Sequence, residues 1–151
     1  MLNILVVCTA NICRSPAAQL FLANSLPKGR VVVDSAGTRA LNGNFADKIV
    51  QELMLADGFS SISEHRSRPL SLADVSRYGL ILCMERNHIN HIQGLHPATV
   101  GKTRLLGHWS GQHEVDDPVG GPRDVYASSL STMKTYSDQW AQKIIELDLL
   151  S

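Results

Sequence analysis

Near the N-terminus of this 151-residue chain, Cys8 and Arg14 stand with five residues between them in the run Cys8-Thr9-Ala10-Asn11-Ile12-Cys13-Arg14-Ser15-Pro16. A thiolate is a strong nucleophile when nearby dipoles stabilise it. A guanidinium presents a planar fork that matches two oxygens of one phosphate, a geometry lysine lacks. The run follows a short apolar segment and precedes a helix start, where backbone N–H groups and the helix dipole favour an anion. A thiolate, a ring of amides and a bidentate guanidinium together suit phosphoryl transfer through sulfur. A lone cysteine is more often an inert buried thiol, and Ser15-Pro16 alone would be an ordinary helix cap. The strand–loop–helix setting with Arg14 at this spacing favours chemistry.

Breaking a phosphate ester with a poor leaving group calls for a proton donor at neutral pH. Asp116-Asp117-Pro118-Val119-Gly120-Gly121-Pro122 reads as a loop, because Pro and Gly break both regular structures. Such a loop can carry a carboxylic acid over a phosphate. Spacing alone leaves Asp116 and Asp117 both open, beside the plainer reading of a solvated acidic turn. His88 and His91 share helical i, i+3 spacing, with His96 beyond, yet no carboxylate or cysteine stands at a convincing ligand spacing. Neither a metal nor a cofactor is expected. Cys13 is either a packed side chain or the partner of Cys8 in a reversible disulfide that protects the nucleophile. Cys83, inside the apolar run Leu80–Met84, reads as core.

Parallel βαβ units would position this loop. Asn3–Val7 and Val31–Val33 are short apolar runs of the kind buried on both faces of a sheet, the second ending at Asp34-Ser35-Ala36-Gly37. Leu80–Met84 is a third strand and Thr103–Leu106 a short fourth. Ser15 as N-cap with Pro16 at the first helical position starts a helix through Leu26. Ala46–Ala56 is helical and closed by Asp57-Gly58, and Tyr126–Leu150 carries a long C-terminal helical pattern. Alternation of this kind implies a three-layer α/β/α fold with a central four-stranded parallel sheet and an N-terminal phosphate-binding loop. No linker or repeat divides residues 1–151, so one domain is expected. Fourteen basic and fourteen acidic residues balance, which disfavours nucleic-acid binding. No apolar run approaches a membrane span, and Met1–Val7 has no basic lead, so a cytoplasmic protein without membrane insertion is expected.

The sequence resembles the low-molecular-weight protein tyrosine phosphatases, whose signature is Cys, five residues, Arg, then Ser or Thr, with a late Asp-Pro pair. The resemblance runs through Ile4–Pro16, Asp34-Ser35-Ala36-Gly37-Thr38, His65, Leu80–Glu85 and Asp116-Asp117-Pro118. Gly107-His108-Trp109 and Gln139-Trp140-Ala141-Gln142 are similar to the bacterial branch that dephosphorylates tyrosine kinases of capsule and exopolysaccharide export. It implies that Cys8 attacks phosphorus and Arg14 holds two oxygens. The amides of Thr9, Ala10, Asn11, Ile12, Cys13 and Arg14 would take the rest. It implies that Ser15 hydrogen-bonds the sulfur, that Asn11 shapes the loop with help from Ser35 and His65, and that the acid is Asp117, next to the proline. Without it, those three supports would read as a turn residue, a strand-end cap and a packed histidine. The implied partner is a tyrosine-phosphorylated protein such as a bacterial kinase tail, with phosphate or other oxyanions also bound by the loop.

Two departures stand out. The loop position usually held by glycine is Ala10, where a positive φ would be strained. Where relatives often present an aromatic wall, this chain has Leu41 and Val119, which bears on selectivity for aryl phosphates. Two other functions compete: an arsenate reductase on the same fold, for which Cys83 alone cannot supply a relay of two further cysteines, and a catalytically silent phosphate-binding module, which would be expected to lose the cysteine or the acid.

Overall fold

The structure is a computed structural model that describes residues 1–150. Its centre is a parallel sheet of β1 (Leu2–Cys8), β2 (Val31–Gly37), β3 (Leu80–Cys83) and β4 (Thr103–Leu105), in the spatial order β2-β1-β3-β4. Period-two alternation sorts the strand side chains onto two faces. Ile4, Val6 and Cys8 with Leu82 and Met84 meet α1 (Arg14–Ser25), α2 (Lys48–Ala56) and α5 (Arg123–Glu146). Leu5, Val7, Ile81 and Cys83 meet Val75 of α3 (Leu72–Arg77), Tyr78 just after it and Ile92 of α4 (Arg86–Leu95). Helices on both faces explain why Ile4 to Val7 are wholly buried. The three-layer architecture is the one the alternating pattern implies.

Several boundaries differ from the sequence reading. β2 continues through Asp34–Gly37, paired with Leu5–Cys8. The polar residues there are tolerated because Tyr78 donates to Asp34 (2.6 Å) and Ser35 donates to Gln19 (2.7 Å). α1 begins at Arg14, so Ser15 is not its N-cap and Pro16 is its third residue. Proline fits because the first-turn N–H groups have no intrahelical acceptor. α3 is too short for periodicity to reveal. α5 starts at Arg123, directly after Pro122, and ends at Glu146.

The strand order places the functional loop. The chain passes from β1 to β2 on one side and later enters β3 on the other, so the carboxyl ends of β1 and β3 flank the point where the winding reverses, the usual ligand crevice of such sheets. Residues 9–13 lie there. Gly37 permits it: a Cβ at that position would lie 2.4 Å from the Thr9 carbonyl oxygen and 3.0 Å from the Asn11 nitrogen. At the far edge, the two tryptophan-bearing stretches meet. The Trp109 and Trp140 rings are 5.3 Å apart and Trp140 donates to the Leu105 carbonyl (3.2 Å), tying α5 to β4. Among the described residues no helix is long and apolar enough to cross a membrane.

Candidate active site

The backbone of the loop is held by its carbonyls. Cys8 O accepts from Thr38 N (3.0 Å), Thr9 O from Arg39 N (2.9 Å) and Ile12 O from Asp47 N (2.7 Å). Asn11 O lies 2.7 Å from His65 Nε2, and Cys13 O accepts from Ala17 N at 3.4 Å inside α1. A carbonyl can only accept, so His65 carries its proton on Nε2. With these oxygens drawn to surrounding elements, the amides of Thr9 to Arg14, at the N-terminus of α1, have no hydrogen-bond partner among the described residues. That is an anion seat. Its single left-handed residue is Asn11 (φ 58°), a type that tolerates this region. Ala10 has no positive φ, so the strain expected of it does not arise.

The Asn11 side chain organises the surroundings of Cys8. Its Oδ1 accepts from Arg68 N (3.0 Å), which fixes the amide orientation, and Nδ2 donates to both Ser15 Oγ (2.7 Å) and Ser35 Oγ (3.0 Å). Ser35 passes its own proton to Gln19. Ser15 therefore has its oxygen filled by Asn11 and its proton free for Cys8 Sγ, 2.9 Å away. A donated proton at sulfur stabilises negative charge there. The expected supports Ser35 and His65 sit beside Asn11, in contact with its side chain and its carbonyl respectively.

Arg14 is buried and its Nη1 is fully engaged, with Glu85 Oε2 at 2.5 Å and the Val115 carbonyl at 2.7 Å. Nη2 reaches only Thr9 Oγ1 at 3.5 Å. The Nε–Nη2 edge is thus the fork left for two oxygens of an anion. Sequence reasoning missed Glu85, whose only signal is an acid directly after a buried strand. It also missed Asp47, which holds Ile12 O, caps α2 through Ile49 N (2.8 Å) and accepts from Tyr126 (3.0 Å).

His88 belongs to the same cluster. Glu85 N donates to its Nδ1 (3.1 Å), so the proton of the neutral ring is on Nε2 and points at Thr9 Oγ1, 2.9 Å away. With both nitrogens committed, it has no lone pair for a metal, and among the described residues no His/Cys/Asp/Glu group could hold one. Burial and then the charge of Arg14 push its pKa down to about 4. The unfolded value is ~6.5, so between these values the unfolded chain binds a proton that the folded one does not. Stability is therefore complete above the unfolded value and falls as pH drops towards the folded one, by at most about 3 kcal/mol. Urea unfolding of wild type and His88→Gln at pH 7, 5.5 and 4.5 should show a shallower decline in the variant. Parallel declines would place the acid sensitivity elsewhere.

The remaining candidates stand on two other loops. Asp116, Asp117 and Val119 are exposed on the loop before α5, and Asp117 Oδ1 accepts from Val119 N (3.0 Å). Of the two carboxylates, Asp117 is the one whose charge reaches Cys13. Burial foremost, then Cys8, Asp47 and Asp117, raises the Cys13 thiol well above its ordinary range. Leu41 is exposed between β2 and α2, its carbonyl accepting from Ser67 (2.6 Å). Cys8, Cys13 and Cys83 are free thiols, and Cys83 is wholly buried on the other face of the sheet from Cys8.

Comparison with known proteins gives a consistent picture. The family model described as low molecular weight phosphotyrosine protein phosphatase matches residues 3–148. The low molecular weight protein-tyrosine-phosphatase Wzb of Escherichia coli (strain K12) is 37% identical over 142 residues, 94% of this chain and 95% of that protein. The structure of Vibrio vulnificus Wzb in complex with benzylphosphonate superposes with a TM-score of 0.88 at 34% identity, covering 94% of this chain and 98% of that one. The YwlE arginine phosphatase from Geobacillus stearothermophilus gives 0.90 at 32% identity over 99% and 96% of the two chains.

Proposed function

Because this chain belongs to the low molecular weight phosphotyrosine protein phosphatase family, we propose that it hydrolyses phosphotyrosine in proteins through a phosphocysteine formed on Cys8. The observation that carries this reading is the pairing of two prepared groups. Cys8 Sγ faces a hydroxyl whose proton Asn11 has left free, and Arg14 keeps one fork open while Glu85 and Val115 hold the other nitrogen. Cys8 attacks phosphorus in line, forming the S–P bond as the P–O bond to the phenol breaks. The loop amides and the Nε–Nη2 edge of Arg14 take the equatorial oxygens. Asp117 gives its proton to the departing phenolate. Its carboxylate then takes a proton from water, which attacks phosphorus, breaks the S–P bond and releases phosphate.

The pocket surroundings suit an apolar ring. Leu41 and Val119 are aliphatic and exposed, and the Vibrio relative was solved with a benzyl phosphonate. The natural substrate is a flexible phosphorylated segment, such as the tail of a cytoplasmic-side tyrosine kinase of exopolysaccharide export, whose neighbouring residues add contacts that an aliphatic wall lacks. The whole chain acts as one catalytic domain in the reducing cytoplasm. Phosphoarginine is the second reading, favoured by the fold likeness to an arginine phosphatase over nearly the full chain. A relay of thiols for arsenate reduction finds no support, since Cys83 is buried away from Cys8 and its thiol is raised by that burial. Steady-state kinetics with matched phosphotyrosine and phosphoarginine peptides, in the presence of chelator, tests the assignment. At least a roughly tenfold larger kcat/KM on phosphotyrosine is expected, about 1.4 kcal/mol of transition-state preference. The reverse order would make the protein an arginine phosphatase.

A further inference from the structure

Beside the loop, a cavity of about 380 Å³ is lined by Thr9, Thr38, Arg39, Asn87 and His91. No carboxylate lines it. Arg39 is exposed and its guanidinium makes no ion pair or hydrogen bond among the described residues, unlike Arg14, Arg68, Arg86 and Arg123, which are all paired with acids. Asn87 gives one amide hydrogen to Glu85 Oε1 (3.3 Å), whose charge is already matched by Arg14. Its other amide hydrogen is uncommitted.

Thr9 adds a donor by elimination. Its oxygen receives the Nε2 proton of His88 at 2.9 Å and faces Arg14 Nη2 at 3.5 Å, and both of these groups only donate to it. Its own hydroxyl proton can go to neither. The Thr9 backbone belongs to the phosphate loop, and the amide of Arg39 is bonded to the Thr9 carbonyl (2.9 Å). The cavity therefore adjoins the anion seat through one residue, and it presents a guanidinium, an amide and a directed hydroxyl with no acid to match them.

We infer that this cavity is a second subsite, which takes the side-chain carboxylate of an Asp or Glu next to the phosphotyrosine in the substrate chain. An extended chain advances ~3.3–3.6 Å per residue, so an acid within a residue or two of the phosphotyrosine can reach a neighbouring pocket. A carboxylate there takes charge-assisted bonds from Arg39 and accepts from Thr9 and Asn87. The inference rests on the phosphotyrosine reading above and names the class of sequence that reading leaves open.

The test is a cycle of two peptides and two proteins. One phosphotyrosine peptide carries Glu on both sides of the phosphotyrosine and the other carries Gln at the same positions. Each is assayed with wild type and Arg39→Gln. Wild type should favour the Glu peptide in kcat/KM by about threefold to tenfold at low salt, with the preference shrinking as ionic strength rises. Arg39→Gln should bring the ratio close to one. A wild-type ratio of one, or a preference that survives in Arg39→Gln, would overturn the subsite. Failure of wild type to hydrolyse either peptide would instead overturn the phosphotyrosine assignment itself.

Discussion

Cys8→Ser should remove phosphotyrosine hydrolysis almost entirely, with a fall in kcat on the order of 10⁴ or more. A hydroxyl ionises far less readily than a thiol, whose reference pKa is ~8.5. The change is one atom in size, and the groups around it, Ser15 and Asn11, are held by Ser35, Gln19 and Arg68 rather than by Cys8. The fold and the anion seat should therefore survive, so the variant should keep its melting temperature and still bind inorganic phosphate. Near-normal turnover in a sequence-verified variant would end the cysteine mechanism. Arg14 is a less clean probe than its place in the signature suggests. Truncating it to alanine removes the clamp and also strands Glu85 and the Val115 carbonyl, so lost activity would be mixed with lost stability.

Asp117→Asn should lower kcat on phosphotyrosine by on the order of 10²–10⁴. The penalty should be smaller on p-nitrophenyl phosphate, whose leaving group needs less help from a proton. Asp116→Asn is the control. Both carboxylates are exposed, and Asp117 is distinguished by the reach of its charge to Cys13 and by the turn in which it accepts from Val119 N. Equal losses on the two substrates would make Asp117 a structural residue of that turn, and a loss confined to Asp116→Asn would transfer the role. Comparing the two variants on both substrates separates these outcomes.

The order of strands and helices was legible because burial on both faces leaves uninterrupted apolar runs such as Ile4–Val7. The loop was legible because its chemistry needs particular residue types close together. What was hidden is non-local. Glu85 and His88 meet the loop only because β3 lies beside β1, and neither the acid after the apolar run nor the His88–His91 spacing points to that contact. Ser15 misled for a related reason. Ser-Pro is a sound helix-start signal, but here the hydroxyl is taken by Cys8 and Asn11, and the helix begins two residues before Pro16. Strand β2 ran past its apolar stretch because Tyr78 and Gln19, far along the chain in one case, satisfy Asp34 and Ser35. The substrate surface is least legible, since Leu41 and Val119 are exposed apolar residues without a pattern.

The groups that shape the loop from outside it, at residues 17, 38, 39, 47 and 65, all come later in the chain, as do the partners of Arg14 at 85 and 115. A ribosome therefore makes Cys8 before the elements that hold its loop. At typical elongation rates, roughly 5–20 s separate Cys8 from Asp117. During that interval the growing chain carries Cys8 without the Asn11–Ser15 arrangement or the anchored arginine. A fragment that stops before β3 likewise lacks Glu85 and Val115, the two partners of Arg14. The contacts around Cys8 and Arg14 therefore wait on the synthesis of residues far downstream of the loop, so the Cys-to-Arg motif and its setting are made at different times.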